Sequence, residues 1–125
     1  MEKNSIILYN DKVPKAWQTY STSLSVTLGS GDGFELTTII SDNNTIKNAT
    51  EVIIVIDDYK GSRVPKEYFI VKRPGAHGDT IQGRSASGYF YQVGFFINEY
   101  GAIKGGYSQG GWNMGAPKVT AVYYR

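Results

Sequence analysis

The stretch Glu51-Val52-Ile53-Ile54-Val55-Ile56 decides the fold. Five consecutive apolar residues, all of them β-branched, leave no polar face, so the segment suits a central strand covered on both sides rather than a half-exposed one. It is expected to be the most buried part of the chain. Outward from it, Asp57-Asp58-Tyr59-Lys60-Gly61-Ser62 reads as a turn. Tyr68-Phe69-Ile70-Val71-Lys72 reads as a further strand, stopped by Pro74-Gly75.

Elsewhere the dominant period is two, the spacing by which a strand turns one face to a core and the other to water. Leu24, Val26 and Leu28 alternate with Ser23, Ser25 and Thr27, and Phe34-Glu35-Leu36-Thr37-Thr38 follows after Gly29-Ser30-Gly31-Asp32-Gly33. The pair predicts a hairpin. Tyr89 to Asn98 alternates strongly, with aromatics on both faces, and Lys118 to Tyr124 sets Val119, Ala121 and Tyr123 against Thr120, Val122 and Tyr124. Ile46 to Thr50 predicts a short irregular or helical link, whereas residues 75 to 88 and 105 to 117, rich in glycine, read as long loops, the first with a possible short strand at Thr80 to Gln82. No stretch of ten residues holds a 3.6 period. The chain therefore predicts one all-β domain over residues 1–125, an antiparallel β-sandwich of about seven to nine short strands, with a closed barrel as the alternative.

Composition narrows the chemistry. The 125 residues contain no cysteine and a single histidine, which removes thiolate catalysis and leaves too few partners for a zinc site. The acids Asp32, Asp42 and Asp79 fall in turns, where aspartate is favoured because it bonds its own backbone. Gly83-Arg84-Ser85-Ala86-Ser87 departs from the nucleophile elbow at its last position, and no phosphate-cradling loop ending in Lys-Ser/Thr is present. Neither an enzyme nor a metal or other cofactor is expected. The apolar patch Ile6 to Tyr9 is too short for a secretion signal, and no run approaches the roughly 20 residues that span a bilayer.

Net charge is only +2, but it is uneven: residues 59 to 84 carry six basic against two acidic side chains. Lys60, Arg63, Lys66, Lys72, Arg73 and Arg84 form a candidate anionic contact, with a solvated sheet edge as the plainer reading. The segment Tyr100 to Gly115 is more telling. Its aromatic rings, amides and glycines form the mixture that adaptable binding loops use, and Tyr107, Gln109, Trp112 and Asn113 are the residues expected to stack on and hydrogen-bond a neutral sugar. The alternative is that Trp112 and Met114 plug the end of the sandwich. The tyrosine excess, Tyr123 and Tyr124 included, also suits subunit contacts.

Leu8-Tyr9-Asn10, Leu24-Ser25-Val26-Thr27-Leu28, Ile46-Lys47-Asn48-Ala49-Thr50 leading into Glu51 to Ile56, and the closing Lys118-Val119-Thr120-Ala121-Val122-Tyr123-Tyr124 resemble, in order, the C-terminal head domains of bacteriophage and prophage tail-fibre proteins. The ending Tyr-Tyr-Arg departs from the commoner apolar-Tyr-Gly close. The resemblance implies a receptor-binding tip of a virion fibre, usually trimeric, that recognises bacterial surface glycan through distal loops. It implies that the loop bearing His77 and Arg84 shares the contact with the Gly/Tyr/Trp loop. Two other classes compete: a small barrel binding single-stranded nucleic acid, with Tyr68, Tyr89 and Tyr91 stacking and Lys72, Arg73 and Arg84 on phosphates, and a structural virion subunit without a ligand.

Overall fold

The computed structural model describes residues 16–31, 37–57, 67–72, 78–86, 89–110 and 116–125. Nine strands and one short helix follow in the order β1 (Gln18–Ser21), β2 (Val26–Thr27), β3 (Thr37–Ile40), α1 (Asn44–Lys47), β4 (Glu51–Asp57), β5 (Glu67–Lys72), β6 (Gly78–Ala86), β7 (Tyr89–Ile97), β8 (Ile103–Gly110) and β9 (Lys118–Tyr124). They make two antiparallel sheets. One runs β1-β9-β4-β5 with β2 also on β9, and the other runs β3-β8-β7-β6. Among the described residues neither sheet closes on itself, so the architecture is a sandwich and not a barrel.

β4 sits between β9 and β5, in the interior of its sheet. Its Val52, Ile54 and Ile56 point into the core and are fully buried. Val55 on the opposite face is buried too, where it pairs with Ala121 of β9 and Tyr68 of β5. Opposite lie Val93, Phe95 and Ile97 of β7 and Ile103 of β8, with Val119, Val122 and Leu28 filling in. β9 departs from the strict alternation expected of it. The register steps from Val55↔Ala121 to Ile56↔Val119, so Thr120 is an extra residue. This bulge lets Val119 and Val122, three apart, both face the core.

Three expectations are corrected. The predicted hairpin of residues 23–28 with 34–40 does not form: β2 pairs with β9 and β3 with β8. The chain instead changes sheets at Leu28 to Gly31. Leu28 N still donates to Pro117 O beside β9, but Gly29 and Gly31 bracket Tyr107 of β8 by backbone hydrogen bonds of 3.0 and 3.1 Å. The change lets both segments bury an apolar face in one core.

Within the predicted loops at 75–88 and 105–117, residues 78–86 and 105–110 are strand. β6 pairs with β7 over its whole length, from Gly78↔Ile97 to Ala86↔Tyr89. In β8, Gly105 stands opposite Phe95, and a Cβ there would lie 2.7 Å from the Phe95 ring. Glycine here makes room for a neighbour's aromatic ring instead of marking a turn.

Candidate functional site

At one end of the sandwich the chain crosses between the sheets along residues 41–50. Asn43, extended and just before α1, is the N-cap: its Oδ1 accepts from Ile46 N at 2.8 Å, satisfying a donor that a helix start leaves open. Its Nδ2 donates to Ser41 O at 2.9 Å and to Gly101 O at 3.0 Å, while its backbone N donates to Tyr100 O. Gly101 belongs to the β7–β8 turn, held by Asn98 Oδ1, which accepts from Tyr100 N and Ala102 N at 2.9 Å each. With φ at +85° and a hypothetical Cβ only 2.1 Å from Asn43 O, position 101 admits no side chain. Ile46 anchors the short helix by pointing wholly into the core. A four-residue helix gains its order from these fixings, not from propensity.

Two open pockets flank this crossing. The first, about 330 Å³, is lined by Gln18 of β1, by Asn44, Thr45 and Asn48 on and beside α1, and by Ala49, Tyr124 and Arg125. The Tyr124 hydroxyl donates to Gln18 Oε1 at 2.9 Å, fixing both side chains. Arg125 lies 4.2 Å from the centre of the Trp17 ring and donates to Glu51 Oε1, so its charge is matched beside the pocket. The second, about 480 Å³, is lined by Thr38, Ser41, Asp42, Asn98, Ala102 and Lys104. Both sizes lie within or near the roughly 300–1,000 Å³ of small-ligand clefts. Side-chain amides, hydroxyls, one tyrosine and balanced charges can exchange hydrogen bonds with a polyhydroxylated ligand without an ionic requirement.

The residues proposed from sequence fare differently. Tyr107 is a core residue, 7% exposed and clustered with Leu28, Val93 and Phe95, so its ring cannot stack on a ligand. This corrects its assignment: β8 turns Tyr107 inward where a loop would have left it free. Gln109 and Arg84 lie in β8 and β6, cross-strand from Tyr91 of β7 on its two sides; their side chains lie outside the described residues. His77, Trp112 and Asn113 lie outside them altogether.

Of the competing nucleic-acid set, Tyr68 is 59% exposed on β5, while Tyr89, Tyr91 and Arg84 belong to the other sheet. That set is divided between sheets. Among the described residues no three His, Asp or Glu side chains gather to hold a metal ion, and no helix is long and apolar enough to cross a membrane.

The pocket residues Gln18, Asn44, Thr45 and Asn48 escaped the sequence reading. The density of amides in Asn43-Asn44-Thr45 and Asn48 was their one signal, and turn chemistry explains such density equally well. Compared with the models of known protein families, with curated proteins and with solved structures, the chain matches none.

Proposed function

We propose that the chain is a non-enzymatic receptor-binding domain of the tail-fibre kind, which recognises a bacterial surface saccharide with the end of the sandwich built around α1. The observation that carries this reading is the first pocket. Three side-chain amides, a threonine hydroxyl and Tyr124 converge there, and the cation that lines it, Arg125, is tied to Glu51. Such a surface suits ring hydroxyls and sugar C–H faces, because each hydroxyl needs a donor or acceptor while the ring face needs something apolar. Oligomerisation and a place at a virion fibre tip belong to the same proposal, drawn from the resemblance alone.

A microarray of bacterial surface polysaccharides, followed by calorimetry on the positives, tests it. Asn44→Ala and Asn48→Ala, both at exposed positions, are expected to weaken saccharide binding at least tenfold together while the melting temperature moves by only a few degrees. A blank array, or unchanged affinity in the double variant, rejects the assignment.

A further inference from the structure

The two pockets have one wall in common, the segment of residues 41–48: Ser41 and Asp42 line one, Asn44, Thr45 and Asn48 the other. Asp42 and Asn44 are two residues apart, so their Cα atoms are separated by at most about 7 Å, comparable with the rise of one sugar unit. Asn43 stands in the chain between Asp42, which lines one pocket, and Asn44, which lines the other, and we take it as the ridge between them. Its N, O, Nδ2 and Oδ1 atoms all hold bonds within the protein, to Tyr100, Lys47, Ser41 and Gly101, and Ile46. The ridge is therefore fixed in place, and the spacing of the pockets is set before anything binds.

The charges are balanced on each side. Arg125 is matched by Glu51 at the first pocket, and the second is lined by one acid, Asp42, and one base, Lys104. Among the described residues that line them, neither pocket offers a surplus cation, which an acidic sugar or a phosphate would need to repay its lost hydration.

We infer that the ligand at this end is an uncharged oligosaccharide that crosses Asn43 from one pocket to the other, an inference that rests on the saccharide-binding reading above. The first pocket holds one unit of the chain and the second a neighbouring unit, so affinity depends on chain length. Two linked weak sites gain because the second engagement is intramolecular.

The test is a titration of the isotopically labelled chain, followed by NMR and calorimetry. The probes are neutral gluco-, manno- and galacto-oligosaccharides of one to six units, with oligogalacturonate of matched length as the acidic control. Expected is a preferred neutral series whose affinity rises at least tenfold between one and four units, with amide shifts in residues 38–42 as well as 44–49. Thr38→Trp, which places a strand-compatible bulky ring at the exposed position 38 of β3 in the second pocket, is expected to erase the gain for long chains. Thr45→Trp is expected to abolish binding of both.

Equal affinity at every length, shifts confined to 44–49, or stronger and steeply salt-dependent binding of oligogalacturonate overturns the inference while the saccharide reading stands. No binding of any sugar overturns both.

Discussion

The guanidinium of Arg125 donates through both Nε and Nη2 to one oxygen of Glu51, each at 2.8 Å, while its plane lies over the ring of Trp17. The backbones of the same two residues also bond, Arg125 N to Glu51 O and Glu51 N to Arg125 O, at 3.0 Å each. One register position thus joins β4, β9 and the residue that leads into β1. Both charged side chains keep about a fifth of their surface in water, 22% each. Solvent therefore limits the pair to roughly 1 kcal/mol, with a cation–π contribution of about the same size. Arg125→Ala is expected to lower stability by about 1–2 kcal/mol, seen as a shift of several degrees in the melting temperature. Arg125→Lys keeps the charge but loses the planar fork and is expected to restore less than half of that. Equal stability of all three proteins would show that the pair contributes nothing.

Gly101 leaves no room for a side chain at the α1 end of the sandwich. Alanine there meets backbone atoms, Asn43 O at 2.1 Å and Lys47 N at 2.6 Å, and must also adopt a φ of +85°. Neither neighbour can rotate away. Gly101→Ala is expected to cost more than about 3 kcal/mol, the sum of left-handed strain and displaced backbone, read as a fall in the urea midpoint. Gly105→Ala meets the Phe95 ring and the end of Ile39 instead, so overpacking of roughly 1–3 kcal/mol is expected there. Comparable midpoints for wild type and Gly101→Ala would refute the clamp.

Asn43 separates capping from bridging. Asn43→Asp keeps the oxygen that accepts from Ile46 N but removes the Nδ2 donor to Ser41 O and Gly101 O. Asn43→Ala removes both. The alanine variant is expected to lose about 1–2 kcal/mol, the aspartate variant less, and both to reduce oligosaccharide affinity because the ridge loosens. Denaturant curves paired with calorimetry distinguish the two losses. An alanine variant as stable as wild type would mean that the cap carries no energy.

How far the chain can be read without coordinates depends on which residues are asked. The central strand was legible because Val52 to Ile56 are all apolar and β-branched; its core face, Val52, Ile54 and Ile56, is fully buried, whereas on the outer face Val55 is buried and Ile53 only half-buried. β7 was legible through its alternation. The glycines of β8 misled because glycine in isolation signals a turn, whereas Gly105 serves the ring of Phe95, a residue ten positions earlier whose cross-strand placement no local rule supplies. The bulge at Thr120 was invisible for the same reason: its carbonyl accepts from Leu24 N, nearly a hundred residues away in the chain. The candidate site depends on such pairings too. Gln18 reaches Tyr124 only through the register of β1 on β9.

Tyr107 belongs to the core, against the expectation from its glycine-rich surroundings. A ring 7% exposed among Leu28, Val93 and Phe95 contributes mainly by burial. Tyr107→Ala is expected to cost about 3–5 kcal/mol through lost contacts and the cavity left behind, enough to unfold a marginal domain of this size. Circular dichroism in urea would show it. A folded, equally stable Tyr107→Ala protein with reduced glycan binding would return this ring to the ligand surface.

Tyr100, exposed at the β7–β8 turn, offers a reporter of the proposed binding end. Its side-chain hydrogen bond with Glu99 and the negative charge of that carboxylate hold the phenol neutral to higher pH than the usual 10, with Asp42 adding in the same direction. Because the folded state binds this proton more tightly than the unfolded chain, the contribution to stability is complete below pH 10 and is lost as pH rises through the raised folded value. The difference in phenolate absorbance between wild type and Tyr100→Phe, followed through the alkaline range, is expected to show Tyr100 ionising later than a free phenol. Glu99→Gln removes the charge and should move that tyrosine back toward the ordinary range. Saccharide that fills the neighbouring pocket beside Asp42 should shift the same titration, since displacing water there strengthens the carboxylate's field at the phenol. An unchanged titration curve in Glu99→Gln would mean that Glu99 does not control this phenol.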